Sequence, residues 1–349
     1  MIDMKLLIVT QIINEQDPDL GFFLRWVTEF STRYEHVHVV CLKEGVHALP
    51  PNVTVHSLGK EANVSRVWYV IRFYRYIWNL RHDYDTVFVH MNPEYVVLGG
   101  PLWRVWGKRI GLWYTHKHVS VYLRIASAWA QVIFTASKES FRLASAKVRV
   151  MGHGIDTGLF SPHMNETSDT LRIVTVGRIS PTKRVREMVD VVVELGRRHV
   201  ACHLDIIGAP VTIADVEYEE MLQRHIASLY GGNVRMLGPV SYGQVPRVFA
   251  HADLMLNLSA TGSLDKAVLD GFAAGIPAIS SNEAFRSMLA PRGLFVESVY
   301  PEAVADAIER FIAIRDKEVL RKEVRDYVVA EHSLSRLIEA IVVEYSRLV

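Results

Sequence analysis

The chain has 349 residues, half of them hydrophobic and 22% charged, long enough for two ordinary domains with sizeable cores. A net charge of +1 argues against a nucleic-acid partner. The two cysteines, Cys41 and Cys202, are too few and too far apart for a disulfide scaffold or a four-ligand zinc site. No apolar run reaches the roughly 20 residues of a spanning helix, and Asp3 interrupts any signal-like start. The expected setting is therefore the reducing cytoplasm, with the protein dissolved or resting on the cytoplasmic face of a membrane.

Residues 5–10 read as a buried strand, followed by a polar loop over 11–19 and a helically spaced apolar segment from 20 to 30. Strands at 36–42 and 53–58 complete the opening of a doubly wound parallel sheet, whose ligands gather at the carboxyl ends of the strands. Gly21, at the start of the first helix, lies at that end, where a glycine suits a close helix–strand contact.

Residues 64–82 carry six aromatics, four arginines and no acid. That mixture suits an anionic membrane surface, and the basic, Trp-bearing segment 101–109 extends it. Plotted on a helix, however, Arg66, Arg72, Arg75 and Arg81 spread over more than half the circumference. The spread favours a partly buried helix with snorkelling arginine stems over an interfacial one.

Strands follow at 86–90 and 109–115, the second ending in His116-Lys117-His118. The two histidines share a face and could in principle hold a metal, but no third ligand has suitable spacing, so cleft-lining is the expected role. Residues 131–136 are taken as the last strand of this half, and 137–140 as the opening of a helix. The glycines and proline of 152–162 mark a boundary, with polar linker at 165–169.

A second series starts with a strand at 171–176 running into Gly177-Arg178 and, five residues on, Lys183. A helix at 187–198, strands at 202–207 and 234–237, and a helix at 242–250 follow. The apolar strand 253–258 then leads through Thr261-Gly262-Ser263 into a helix over 264–274, with Ser263 as N-cap, closed by Gly275 and Pro277. A closing strand at 293–296, a helix at 301–315 and a helical tail over 319–349 complete the chain. The organisation predicted is a domain at 1–160, a second at 170–330 and a terminal helix at 331–349.

Strand, glycine turn and helix aim backbone N–H groups and a positive dipole end at whatever lies above the sheet, and would stabilise a phosphate. Arg178 can fork onto such a phosphate, Lys183 supplies a point charge, and Lys266 is a further cation at the helix opening.

The ordered set resembles the retaining nucleotide-sugar glycosyltransferases of family 4, which have the GT-B architecture: α/β, with two Rossmann-like doubly wound domains facing across a cleft. The family's Gly-Arg-x-x-x-x-Lys pattern is matched by Gly177, Arg178 and Lys183. Its two glutamates, seven residues apart before a small-residue helix and Gly-x-Pro, correspond to Gly262 and Asp270. One acid is shortened and the other missing.

The resemblance implies that Arg178 and Lys183 act on the departing diphosphate and that His116, with His118 as second choice, borders the donor sugar. It implies that Gly21 approaches donor phosphate or acceptor, and that the terminal helix crosses back to the first domain. Asp270 would hold the ribose. Asp265, or the backbone N–H groups of Ser263 and Leu264, would replace the missing glutamate. No metal or cofactor is implied beyond the donor, a UDP- or GDP-sugar; the acceptor is a carbohydrate or lipid-linked hydroxyl. The competing readings are a catalytically inactive GT-B scaffold that binds nucleotide sugar or a membrane, and a sugar-nucleotide epimerase.

Overall fold

The computed structural model describes residues 2–162, 168–229 and 232–348, so most of the expected linker 165–169 lies outside the described residues. The chain forms two units, one of Met1–Asp156, Ser241–Gly243 and His332–Val349, the other of Thr157–Val240 and Gln244–Glu331.

In the first unit the elements run β1 (Ile2–Ile13), α1 (Phe23–Ser31), β2 (Tyr34–Glu44), β3 (Val53–Ser57), α2 (Arg66–Asn79), β4 (Thr86–His90), α3 (Pro93–Val105), β5 (Arg109–Trp113), α4 (Val121–Trp129), β6 (Val132–Thr135) and β7 (Val148–Val150). All seven strands are parallel, in the order β3-β2-β1-β4-β5-β6-β7. The central strands are apolar at successive positions because both faces are covered. Leu6 and Ile8 pack under α1 and the terminal helix, while Leu7 and Val9 pack under α2, α3 and α4.

The second unit runs β8 (Leu171–Val176), α5 (Val185–Arg197), β9 (Cys202–Ile207), α6 (Ile213–Ala227), β10 (Val234–Gly238), α7 (Val245–Phe249), β11 (Leu254–Asn257), α8 (Lys266–Ala273), β12 (Ala278–Ser280), α9 (Arg286–Leu289), α10 (Pro301–Ile312) and α11 (Lys317–Glu331). Its parallel sheet is ordered β10-β9-β8-β11-β12. The chain moves outward from β8 to one edge and then returns to β8's other side.

Several expectations are corrected. Residues 131–136 are not the last strand of their half, because β7 pairs with β6. Residues 137–140 open no α-helix; a single 3-10 turn at Lys138–Ser140 is followed by extended chain. Residues 293–296 form no strand beyond a one-residue bridge between Phe295 and Ser280.

The helical tail is broken. The Ile155 N–H donates to the His332 carbonyl (2.7 Å) and the Leu334 N–H to the Ile155 carbonyl (2.8 Å), so this extended residue takes the groups a continuous helix would use. A new helix, α12 (Leu334–Ser346), starts beyond the break. It packs beside α1, with the Tyr345 hydroxyl donating to the Val87 carbonyl at 2.7 Å.

Helix α2 is partly buried, as expected, but on a narrow face. Only Phe73 and Ile77 are buried, whereas Val67, Trp68, Val70, Ile71, Tyr74 and Trp78 are exposed. The arginines do spread around the helix, but the apolar residues are the ones left outside. Among the described residues, no helix is long and apolar enough to cross a membrane.

Candidate functional site

The carboxyl ends of β8 and β11 adjoin where the strand order of the second sheet reverses, the position at which open α/β sheets leave a crevice. Two loops occupy it. After β8, Gly177 adopts φ +147 and leads to Arg178, and Pro181–Lys183 then makes a 3-10 turn that closes on Arg184. After β11, the chain passes through residues 258–265 into α8. The loops are tied together by the Ala260 N–H donating to the Thr182 carbonyl at 3.0 Å.

Packing at this edge is tight. Gly208, at the end of β9, has φ +150, and a β-carbon there would run into the Gly177 carbonyl oxygen. The turn that presents Arg178 is thus held by its neighbour strand's backbone.

Lys183 Nζ pairs with Asp265 Oδ2. The same carboxylate accepts from Asn257 Nδ2 at 3.0 Å. Asn257 is fixed in turn by Ser280, whose hydroxyl donates to the Asn257 carbonyl at 2.8 Å and contacts its Oδ1 at 3.1 Å. Asn282 donates from Nδ2 to the Ser263 carbonyl at 2.8 Å, fastening the residue expected to cap the helix.

That cap is corrected: α8 begins at Lys266 and Asp265 stands at its N-cap position, without a capping side-chain bond. Ser263 and Leu264 belong to the loop. Gly262 has φ +60, a left-handed conformation that most side chains resist by roughly 1–2 kcal/mol. The absent glutamate therefore reflects a backbone turn as well as a lost side chain.

Lys266 and Asp270 pair with each other one turn apart, Nζ lying 3.0 Å from Oδ1 and 2.9 Å from Oδ2. Asp270 is buried, which makes the lysine's proximity a requirement for a charged carboxylate there. Arg178 is half exposed, with Nε 3.8 Å from Asp215 Oδ2. Asp215 closes the capping box of α6, accepting from the Thr212 N–H at 3.0 Å and the Val211 N–H at 3.3 Å. Burial acts to raise its pKa, but these hydrogen bonds and the Arg178 charge hold the carboxyl below its ordinary range.

Sequence reasoning passed over Asp215, Asn257, Ser280 and Asn282. For Asp215 a signal existed, since Thr212-x-x-Asp215 is a capping-box pattern and α6 itself was missed. Asn257, hidden inside an apolar strand run, carried none.

Gly21 and His116 belong to the first unit. Gly21 sits in the turn before α1, its N–H donating to the Asp17 carbonyl at 3.0 Å, not at the helix start. His116 is exposed just beyond β5, its ring 5.8 Å from that of Tyr114, whose hydroxyl donates to the His118 carbonyl at 2.8 Å. Among the described residues no cluster of His, Cys, Asp and Glu is placed to hold a metal ion.

Residues 160–327 match the family model of glycosyl transferases group 1. Over 174 residues the chain is 26% identical to a phosphatidylinositol N-acetylglucosaminyltransferase subunit of Arabidopsis thaliana. That match spans 49% of this chain and 38% of the relative's length. Among solved structures, Anabaena HepE in complex with UDP superposes with a TM-score of 0.75 at 15% identity, covering 99% of this chain and 100% of that one. Sucrose-phosphate synthase from Thermosynechococcus elongatus gives 0.76 at 16% identity, covering 98% and 99%. These likenesses establish the fold as GT-B.

Proposed function

Starting from a chain that carries a glycosyl transferases group 1 domain, we propose that it moves a sugar from a UDP-sugar to an acceptor hydroxyl with retention of anomeric configuration and without a metal. A GDP-sugar is the alternative donor, and a lipid-linked hydroxyl is the acceptor class that the likeness to the Arabidopsis relative favours. UDP ranks first because HepE, of the same fold, was solved with UDP.

The observation that carries this reading is the meeting of the Arg178–Lys183 loop with the Gly262–Lys266 loop at the reversal point of the second sheet. In the proposed reaction the acceptor oxygen bonds to the anomeric carbon on the face from which the diphosphate departs. The bond from that carbon to phosphate oxygen breaks, its electron pair staying on the diphosphate, which takes the acceptor's proton. Arg178, Lys183 and the amides around Ser263 and Leu264 stabilise the charge that develops. Asp270 is proposed to receive the ribose hydroxyls as a carboxylate acceptor. His116 is proposed to border the sugar.

One observation favours a second reading, a nucleotide-sugar binder without turnover: Gly262 stands, in a left-handed turn, where the family's sugar-holding glutamate would be. A thermal-shift screen of UDP-, GDP- and ADP-sugars, followed by turnover assays with and without EDTA, separates the two. A UDP-sugar should raise the melting temperature and be consumed equally with chelator present. Stabilisation without consumption would leave the second reading standing, and no stabilisation by any donor would overturn both.

A further inference from the structure

We propose that the outer face of α2, the end of α3 and α4 is a docking surface for an anionic lipid bilayer. The proposal goes beyond the donor-site reading and does not depend on it, since every residue involved lies in the first unit.

The three helices cover the same face of the seven-stranded sheet. The Tyr74 hydroxyl donates to the Leu98 carbonyl at 3.1 Å, and Trp78 and Trp106 meet edge to face at 5.7 Å. Trp129 of α4 lies against Gly100 of α3. Phe73, Ile77, Val96, Trp103 and Leu123 fill the space beneath.

On the outside, Val67, Ile71, Tyr74 and Trp78 recur at i, i+4, i+7 and i+11. That stripe would face the core of an ordinary amphipathic helix. Here it faces away: Val67 is 67% exposed, Trp68 54% and Trp78 52%. Val105 at the end of α3, and Val121, Tyr122 and Ile125 on α4, are exposed as well. Apolar groups so gathered on a surface mark an interaction site more often than chance.

Charge selects the partner. Residues 62–82 hold four arginines, residues 95–138 hold six lysines and arginines, and neither segment contains an Asp or Glu, although the whole chain is near neutral at +1. Arg66, Arg75, Arg104 and Arg124 are exposed beside the apolar residues. Such a surface repels a second copy of itself. It matches a bilayer, where tryptophan and tyrosine settle at the headgroup level and arginine stems reach anionic phosphates.

The test is flotation of the full chain with vesicles of phosphatidylcholine, alone or mixed with phosphatidylglycerol, at low and high salt. Binding is expected to the mixed vesicles and to weaken with salt. Each surface charge near such a membrane is worth about fivefold in partitioning, so Arg66→Gln with Arg75→Gln should lower binding about 25-fold. Trp68→Ala with Trp78→Ala should lower it by roughly tenfold or more. These residues are exposed, and circular dichroism checks that the variants fold. Quenching of wild-type tryptophan fluorescence by brominated lipid tests insertion without any variant. Absence of vesicle binding overturns the proposal, including the case where this face instead joins two copies or takes an acidic protein. So does binding that ignores both lipid charge and the arginine substitutions.

Discussion

Lys183 and Asp265, 82 residues apart, form an ion pair at the meeting point of the two loops expected to receive the donor. The aspartate is held from below by Asn257. An arriving diphosphate has to compete with that carboxylate for the ammonium. Lys183→Ala should weaken UDP binding by about 1.5–3 kcal/mol, the range for hydrogen bonds to charged groups. Asp265→Asn should instead tighten UDP binding severalfold, by removing both competitor and negative charge. Titration calorimetry with UDP measures both. A weaker UDP complex in Asp265→Asn would make Asp265 a donor ligand in its own right.

Arg178 lies beside Asp215, the N3 half of the α6 capping box. Asp215→Ala should therefore act twice. Loss of its half of the capping box leaves the Thr212 and Val211 N–H groups without that acceptor and lowers stability, read as a fall in melting temperature. Loss of the anchor loosens Arg178 and weakens UDP binding, an effect that Thr212→Ala, which removes only the other half of the capping box, should largely lack. Comparing melting temperature with UDP affinity in the two variants separates the roles.

The fold was largely legible from the sequence because both sheets are built from strands whose apolar runs are short and bounded. Residues 86–90, 171–176 and 202–207 match β4, β8 and β9. What stayed hidden depended on tertiary contacts. The break at His332–Ser333 arises from hydrogen bonds to Ile155, which helical spacing cannot reveal. Phe295 lacks the pairing for a strand beyond its single bridge. For α2 the spread of the arginines pointed to a partly buried helix, but could not say that most of its apolar residues would lie on the outside. At the site, the cations were visible through their spacing, whereas the Asn257–Ser280 support comes from neighbouring strands brought together only in the folded sheet.

The strand-end turns should tolerate little. Gly208→Ala places a methyl against the Gly177 carbonyl in a backbone conformation that L side chains rarely adopt. Relief requires moving the turn that carries Arg178. The variant should lose more than the ~1 kcal/mol typical of a point mutant and should bind UDP more weakly than its remaining fold explains. Gly243→Ala, where a β-carbon meets nothing within 4 Å, is the control and should be near wild type. Urea denaturation gives the stability difference.

Acid should unfold the first unit, and its histidines give the reason. His90 is buried, stacked on Phe23 at 4.0 Å, and burial pushes its pKa down to about 3. His38 is pushed down to about 4, by burial first and then by His36, His56 and Lys5, with Asp83 opposing. Burial lowers His332 to about 4, and His56 is lowered by burial and His36 against an opposing Glu44. These side chains stay neutral in the folded protein below the pH at which the unfolded chain takes up protons, near 6.5. Between those values the unfolded state binds more protons, so stability rises with pH; the contribution is complete above about 6.5 and is lost as pH falls toward 4. Each of these depressions adds stability near neutrality that acid removes. Denaturation curves taken from pH 7.5 to 4.5 should show a steep fall below neutrality. His38→Gln should flatten it, because the variant cannot gain the unfolded-state proton. An unchanged slope in that variant would assign the acid sensitivity to carboxylates instead.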